Sequence, residues 1–290
     1  MRLLICLTLL LSNIANATVE LVATGKVSSL KSEYSPTFDV SSNELVFMRR
    51  TPGKFDYTLY TSKLNGDSWS APKVIAFSGE YRDAAPYFSP DGQHLVFDSR
   101  RPAKHLESGS INLWQVTRES DDKWSTPTLL KTASVNVKNE SNAGVDEFGP
   151  LLTDSGELWF YSFRQPHRGG AYYRQQPVGK PKIEKDLPDP SASTFIAYLT
   201  LSKDEKTAVM EGRSKNSRDT DLYFACKKDG LWGPAIALEE INTIAGEGTP
   251  FLSADSKWLW FASDRPSGSD YSQGSNIYRV ETSKLPIPCS

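Results

Sequence analysis

What most constrains this chain is a motif that returns five times along it. In the best-preserved copy, Asp83 and Pro86 precede the turn Pro90-Asp91-Gly92; the apolar run Leu95-Val96-Phe97 follows, then Arg101-Pro102, Asn112-Leu113-Trp114 and Trp124-Ser125-Thr126-Pro127. The same order recurs from Glu33, with Pro36, Leu45-Val46-Phe47, Arg50, Leu59-Tyr60 and Trp69-Ser70-Ala71-Pro72. It recurs from Glu147, with Pro150, Asp154-Ser155-Gly156, Leu158-Trp159-Phe160, Arg164 and Tyr172-Tyr173. A degenerate copy begins at Thr194 and carries Lys203-Asp204, Ala208-Val209-Met210, Arg213, Asp221-Leu222-Tyr223 and Trp232-Gly233-Pro234. The last begins at Glu247 and carries Pro250, Leu259-Trp260-Phe261, Arg265-Pro266 and Asn276-Ile277-Tyr278.

Each copy reads as four short antiparallel strands, with the Asp-Gly or Asp-Ser turn reversing the chain between the first two. A small sheet cannot bury both of its faces alone, and stacking against like sheets in a ring does so. The expected fold is therefore all-β: a five-bladed β-propeller with four antiparallel strands per blade, forming one domain over 18–290 with units starting near 33, 83, 147, 194 and 247. The last unit lacks an outer strand, while Val19-Glu20-Leu21-Val22-Ala23 stands ahead of the first. That segment is expected to complete the fifth blade and close the ring, removing the open edges that invite aggregation. Composition agrees, since 13 Phe, 12 Tyr and 7 Trp beside 19 Gly and 18 Pro suit short aromatic strands and turns.

Two function classes fall away at this level. A balance of 33 basic and 35 acidic residues gives a net charge of -2 and no basic excess for nucleic acid. With 3 His and 3 Cys in the whole chain, a zinc site of the multi-Cys/His kind has too few ligands. No D-x-D-x-D-G loop stands out for calcium, and no metal or other cofactor is expected.

The first 17 residues carry Arg2, an apolar run from Leu3 to Leu11 and Ala15-Asn16-Ala17, the pattern of a signal peptide cleaved after Ala17. The run is too short to span a bilayer, so a periplasmic or secreted monomer with no membrane insertion is expected. In such a compartment Cys226 and Cys289 either form a disulfide between the C-terminal tail and an upstream strand or stay as unrelated thiols.

The combination of acid-x-x-Pro, Ser-Pro-Asp-Gly, Leu-x-Phe, Arg-Pro and Asn/Asp-Leu/Ile-Tyr/Trp resembles the WD-like repeat of the TolB-type β-propellers, found in bacterial envelope and exported proteins. The resemblance spans the whole of 18–290 and implies the propeller fold; it implies little about activity.

Aligned units show an acidic column ahead of the innermost strand, Glu33, Asp83, Glu147 and Glu247, with Thr194 in the degenerate copy. A second column after the second strand contains Arg50, Arg101, Arg164, Arg213 and Arg265. The first hairpin brings both columns to one face of the disc. The arginines are read as structural, forking onto carboxylates or loop carbonyls. The acids have two readings: partners of those arginines, or groups ringing the channel mouth that bind a ligand. His167, Arg168, Asp270 and Tyr271, in loops between the second and third strands, belong to the same face and are candidate ligand contacts.

Two function hypotheses follow. The first is a non-catalytic module that recognises an envelope or extracellular protein, peptide or glycan across this face; no G-x-S-x-G, H-E-x-x-H or paired Cys and His argues for catalysis. The second is a glycoside hydrolase of the five-bladed kind, with Glu33, Asp83 and Glu147 supplying the carboxylates.

Overall fold

The structure, a computed structural model, describes residues 17–51, 56–103, 109–130, 135–136, 145–163, 171–175, 182–183, 187, 198–213, 219–267 and 274–289. Five antiparallel sheets follow one another along the chain. The first contains Glu33–Asp39, Glu44–Arg50 and Tyr57–Asn65; the second, Asp83–Phe88, His94–Ser99 and Asn112–Ser120. The third contains Glu147–Leu152, Leu158–Ser162, Ala171–Gln175 and Lys182–Ile183. The fourth has Leu199–Leu201, Thr207–Arg213 and Thr220–Lys228, and the fifth Glu247–Leu252, Trp258–Ser263 and Asn276–Glu281. Each innermost strand touches the innermost strand of the next blade, and the fifth touches the first, so the sheets form a five-bladed propeller.

Closure runs through the N-terminal segment. Glu20–Leu21 pairs antiparallel with Asn276–Glu281, placing Glu20 opposite Arg279 and Leu21 opposite Tyr278. Arg279 Nε donates to Glu20 Oε2 at 2.9 Å, and Val22 N donates to the Ile277 carbonyl at 2.9 Å. A second tie lies beside it. Cys289 is disulfide-bonded to Cys226, with Cα atoms 5.6 Å apart, fastening the tail that follows the fifth blade to the third strand of the fourth.

The fourth strand, at the Trp-x-x-Pro segments, is not continuous in every blade. In blades one, two and four it is broken in two, Ser68–Trp69 and Lys73–Val74, Lys123–Trp124 and Thr128–Leu129, Leu231–Trp232 and Ile236–Ala237, both pieces pairing with the third strand. Pro72, Pro127 and Pro234 fall in the gaps. Proline has no N–H to donate, so the ladder stops there and resumes beyond.

The core consists of apolar wedges between neighbouring blades. The aromatic columns fill them. Phe47 opposes Tyr60, Phe97 opposes Trp114, Phe160 opposes Tyr173 and Phe261 opposes Tyr278 on adjacent strands. Three of these pairs are stacked, with centroids 5.8 to 6.0 Å apart, each contributing about 0.5–1.5 kcal/mol beyond its buried area. In blade four Met210 takes the place of the Phe, opposite Tyr223.

One local feature shapes the axis. Two residues after each acid, Ser35, Ala85, Gly149 and Thr249 adopt φ between 46° and 53°, and each precedes a proline. The register shifts at these points, so each innermost strand of these blades carries a bulge. Non-glycine residues reach this conformation only at a cost, offset here by bonds between blades: Ser35 N donates to Thr249 Oγ1 at 3.0 Å, and Thr249 N to Glu211 Oε2 at 2.9 Å.

Candidate functional site

The four acids of the repeat are sealed inside their blades. Glu33, Asp83, Glu147 and Glu247 are all 0% exposed. Glu247 accepts from Thr243 N at 2.9 Å, Thr243 Oγ1 at 2.7 Å, Ser263 Oγ at 2.8 Å and Arg265 Nη2 at 3.1 Å. Asp83 accepts from Ser78 Oγ at 2.8 Å and Arg101 Nη2 at 2.7 Å. Glu33 accepts from Ser29 N at 3.2 Å, Ser29 Oγ at 2.6 Å and Arg49 Nε at 2.9 Å; burial pushes its carboxyl above the usual range against the pull of these donors. Glu147 accepts from Asn136 N at 2.8 Å. In each case a donor comes from the loop that enters the innermost strand, so the acid fastens that loop to its blade. These positions were candidates for ligand or catalytic carboxylates, and the structure places none of them within a ligand's reach.

The arginine column needs a correction of register. Arg101 and Arg265 stand two residues beyond Ser99 and Ser263, which oppose Asp83 and Glu247, and both turn back onto those acids. Arg50 and Arg213 fall one position earlier in their strands and are exposed. In blade one the guanidinium on the acid is that of Arg49, which occupies the serine register and opposes Glu33 directly. The adjacent Arg49 and Arg50 carry no sequence cue to which of them faces the acid. Arg164, Thr194, His167, Arg168, Asp270 and Tyr271 lie outside the described residues, as do residues 1–16.

The one carboxylate of the second strands that meets a cavity among the described residues, Glu211, comes from another column. Along the second strand, the position before the serine register contains Met48, Asp98, Tyr161, Glu211 and Ala262. Strand alternation turns this position away from its buried neighbours Phe47, Phe97, Phe160, Met210 and Phe261. Glu211 lines a cavity of about 220 Å³ bounded by blades one, four and five, together with Tyr34, Tyr57, Tyr198, Thr249 and Asp264. These residues stand at starts of innermost and third strands and ends of second strands, so the cavity belongs to the face that carries the loops between second and third strands.

Glu211 is the distinctive group. Its Oε2 accepts from Thr249 N, the bulge N–H of the next blade, at 2.9 Å, and its Oε1 has no partner among the described residues. Burial pushes its carboxyl up to about 7, opposed by that one backbone N–H. Burial likewise raises the Tyr198 and Tyr172 phenols, with the charge of Glu211 adding to both. Tyr172 is buried, and its hydroxyl has no hydrogen-bond partner among the described residues. Asp98, the other acid of this column, is committed: Arg82 Nη1 donates to it at 2.5 Å. Sequence reading passed over Asp98 and Glu211; the available signal was a carboxylate inside an otherwise apolar second strand.

Below this cavity the axis is closed. Tyr87 Oη lies 3.1 Å from Thr200 Oγ1 across the ring, and its ring packs edge-on against Phe251 with centroids 5.2 Å apart. Burial holds the Tyr87 phenol up to about 12. The space at the bulges is about 20 Å³ and that at the opposite mouth about 40 Å³. Both are far smaller than the cavity at Glu211. Among the described residues no group of three His, Cys, Asp or Glu side chains is placed to hold a metal ion.

Comparison with known proteins extends to the fold and stops there. No protein-family model matches the chain, and no curated protein matches its sequence. Solved structures of similar shape include an arabinanase of Bacillus subtilis, 12% identical with a TM-score of 0.53 over 86% of this chain and 93% of that one. They also include a family 117 glycoside hydrolase of Zobellia galactanivorans, 11% identical with a TM-score of 0.53 over 93% and 91%. A TolB-type protein of Agrobacterium tumefaciens is 12% identical with a TM-score of 0.47 over 85% and 73%. At such identities the likeness shows a β-propeller and nothing about activity.

Proposed function

We propose that this protein is an exported, non-catalytic recognition propeller that takes part of a protein, peptide or glycan into the cavity on its loop face. The observation that carries the reading is the cavity itself: Tyr34, Tyr57 and Tyr198 offer flat amphipathic walls, and Glu211 presents a carboxyl whose second oxygen is uncommitted. Pockets of this make-up, apolar walls with a few convergent polar groups, are the usual form of a binding site. Export is supported by the leader-like first 17 residues and by the Cys226–Cys289 disulfide, which suits an oxidising compartment. Against catalysis stands the sealing of Glu33, Asp83 and Glu147.

One observation favours the second reading, a glycoside hydrolase. A carboxyl that keeps its proton up to about 7, as Glu211 does, is what a general acid requires. The discriminating experiment screens the purified protein on a polysaccharide panel alongside Glu211→Gln and Glu147→Gln, and captures partners from envelope extracts with the same proteins. Recognition predicts no turnover, with capture weakened by Glu211→Gln; turnover abolished by Glu211→Gln selects the hydrolase.

A further inference from the structure

The electrostatics of the cavity narrow the ligand. Among the described residues its lining has two ionisable acids, Glu211 and Asp264, with three tyrosines and no Lys or Arg. The Arg82 guanidinium sits 5.6 Å from the Tyr57 ring centroid and also acts on Tyr198, but it is held by Asp98. Arg50 acts on Tyr34 from the exposed end of its strand. An aromatic-walled, acid-lined pocket attracts a cation twice, through ring faces and through carboxylate charge. Two exposed apolar side chains are close in sequence to the lining: Ile244, 94% exposed and two residues from Gly246, and Leu30, 64% exposed and two residues from Ser32, the hydrogen-bond partner of Tyr34.

We propose that the cavity receives the ammonium group of a peptide lysine, with Glu211 Oε1 as its hydrogen-bond acceptor, the tyrosine rings as its walls and Leu30 and Ile244 contacting apolar residues beside it in the peptide. This rests on the recognition reading above and specifies its ligand. An alkylammonium donates N–H bonds that the free oxygen of Glu211 lacks, and the four-carbon stem is apolar enough to lie along tyrosine faces. Burial of an unpaired carboxylate is unfavourable, so Glu211 holds its proton to about 7 when the cavity is empty. Arrival of the ammonium releases it. The titratable and charged groups around Glu211 are Tyr34, Tyr57, Tyr172, Tyr198, Asp264 and the Arg82–Asp98 pair, and the charge of Glu211 acts on the Tyr172 and Tyr198 phenols.

The test is calorimetric titration of the intact protein with Nα-acetyl-lysine methylamide, its neutral isostere Nα-acetyl-norleucine methylamide, choline and glucosamine. The lysine derivative is expected to bind, and the isostere to bind at least about tenfold more weakly. Lysine affinity should rise between pH 6 and 8 as Glu211 ionises, about tenfold at most, with proton release visible as a buffer-dependent heat. Glu211→Gln, with melting checked, should remove the pH dependence and most of the binding. Tyr198→Ala should weaken binding without removing that dependence. Equal binding of lysine and norleucine derivatives, or a pH-independent affinity, overturns the proposal. Stronger binding of choline or glucosamine than of the lysine derivative overturns the peptide assignment. If no ammonium probe binds but an oligosaccharide or neutral peptide perturbs Tyr198, the ligand class fails and recognition at this cavity stands. If nothing perturbs Tyr198, both fail.

Discussion

In the fifth blade the carboxylate of Glu247 ends in a closed set of donors, Thr243, Ser263 and Arg265, with no exposed surface. In the fourth blade Arg213 points to solvent, and the second strand supplies a carboxylate, Glu211, with a single backbone donor. One blade uses its acid to hold a loop; the other leaves an acid under-satisfied beside a cavity. A propeller needs every blade to pack but not every blade to carry the same polar lock. Glu211 stands outside that lock, on the second strand, with one oxygen open to a ligand.

The largest effect that follows is on folding. Glu247→Gln leaves Arg265 buried without its counter-charge and should destabilise the protein by about 3–5 kcal/mol, measured by denaturant unfolding. Next comes the tie between the two blades. Replacing Cys226 and Cys289 by Ala should cost about 2–4 kcal/mol, and the reduced wild-type protein should melt at the same temperature as that variant; equal melting of oxidised and reduced protein would show that the bond does not constrain the ring.

Glu211 gives a signature of opposite sign. Its folded-state carboxyl is raised above the ordinary 4.5 to about 7, so the folded state binds the extra proton. Stability from this group is present at low pH and is lost as pH rises from about 4.5 through about 7. Glu211→Gln should therefore flatten the stability profile over that window and leave the protein at least as stable as wild type above it, while Glu247→Gln stays destabilised throughout. The smallest effect belongs to Arg213→Ala, an exposed position, which should change stability by no more than about 0.5 kcal/mol, whereas Arg265→Ala should exceed it clearly.

The same contrast explains what the sequence made legible. Five blades, the acidic column, the aromatic columns and closure by the segment around Leu21 were all readable because a repeat states its packing rules several times over. The arginines were half readable. Arg101 and Arg265 lock their acids, but Arg49 takes this role in blade one because a side chain at the serine register lies directly opposite Glu33. The cavity was not readable, since it forms where three blades converge and where the repeat is least regular; Tyr34, Tyr57, Tyr198 and Glu211 share no motif. Only the charge of Glu211 within Val209-Met210-Glu211-Gly212 marked the place. The bulges at Ser35, Ala85 and Thr249 were equally silent, because their positive φ occurs at residues that are not glycine.

The central claim is that Glu247 and its equivalents build the ring while Glu211 serves the cavity. Urea unfolding of Glu247→Gln and Glu211→Gln beside wild type at pH 8 tests it most directly. The account predicts a loss of about 3–5 kcal/mol for the first and no loss for the second; a Glu211→Gln protein as unstable as Glu247→Gln, or a Glu247→Gln protein as stable as wild type, would contradict it.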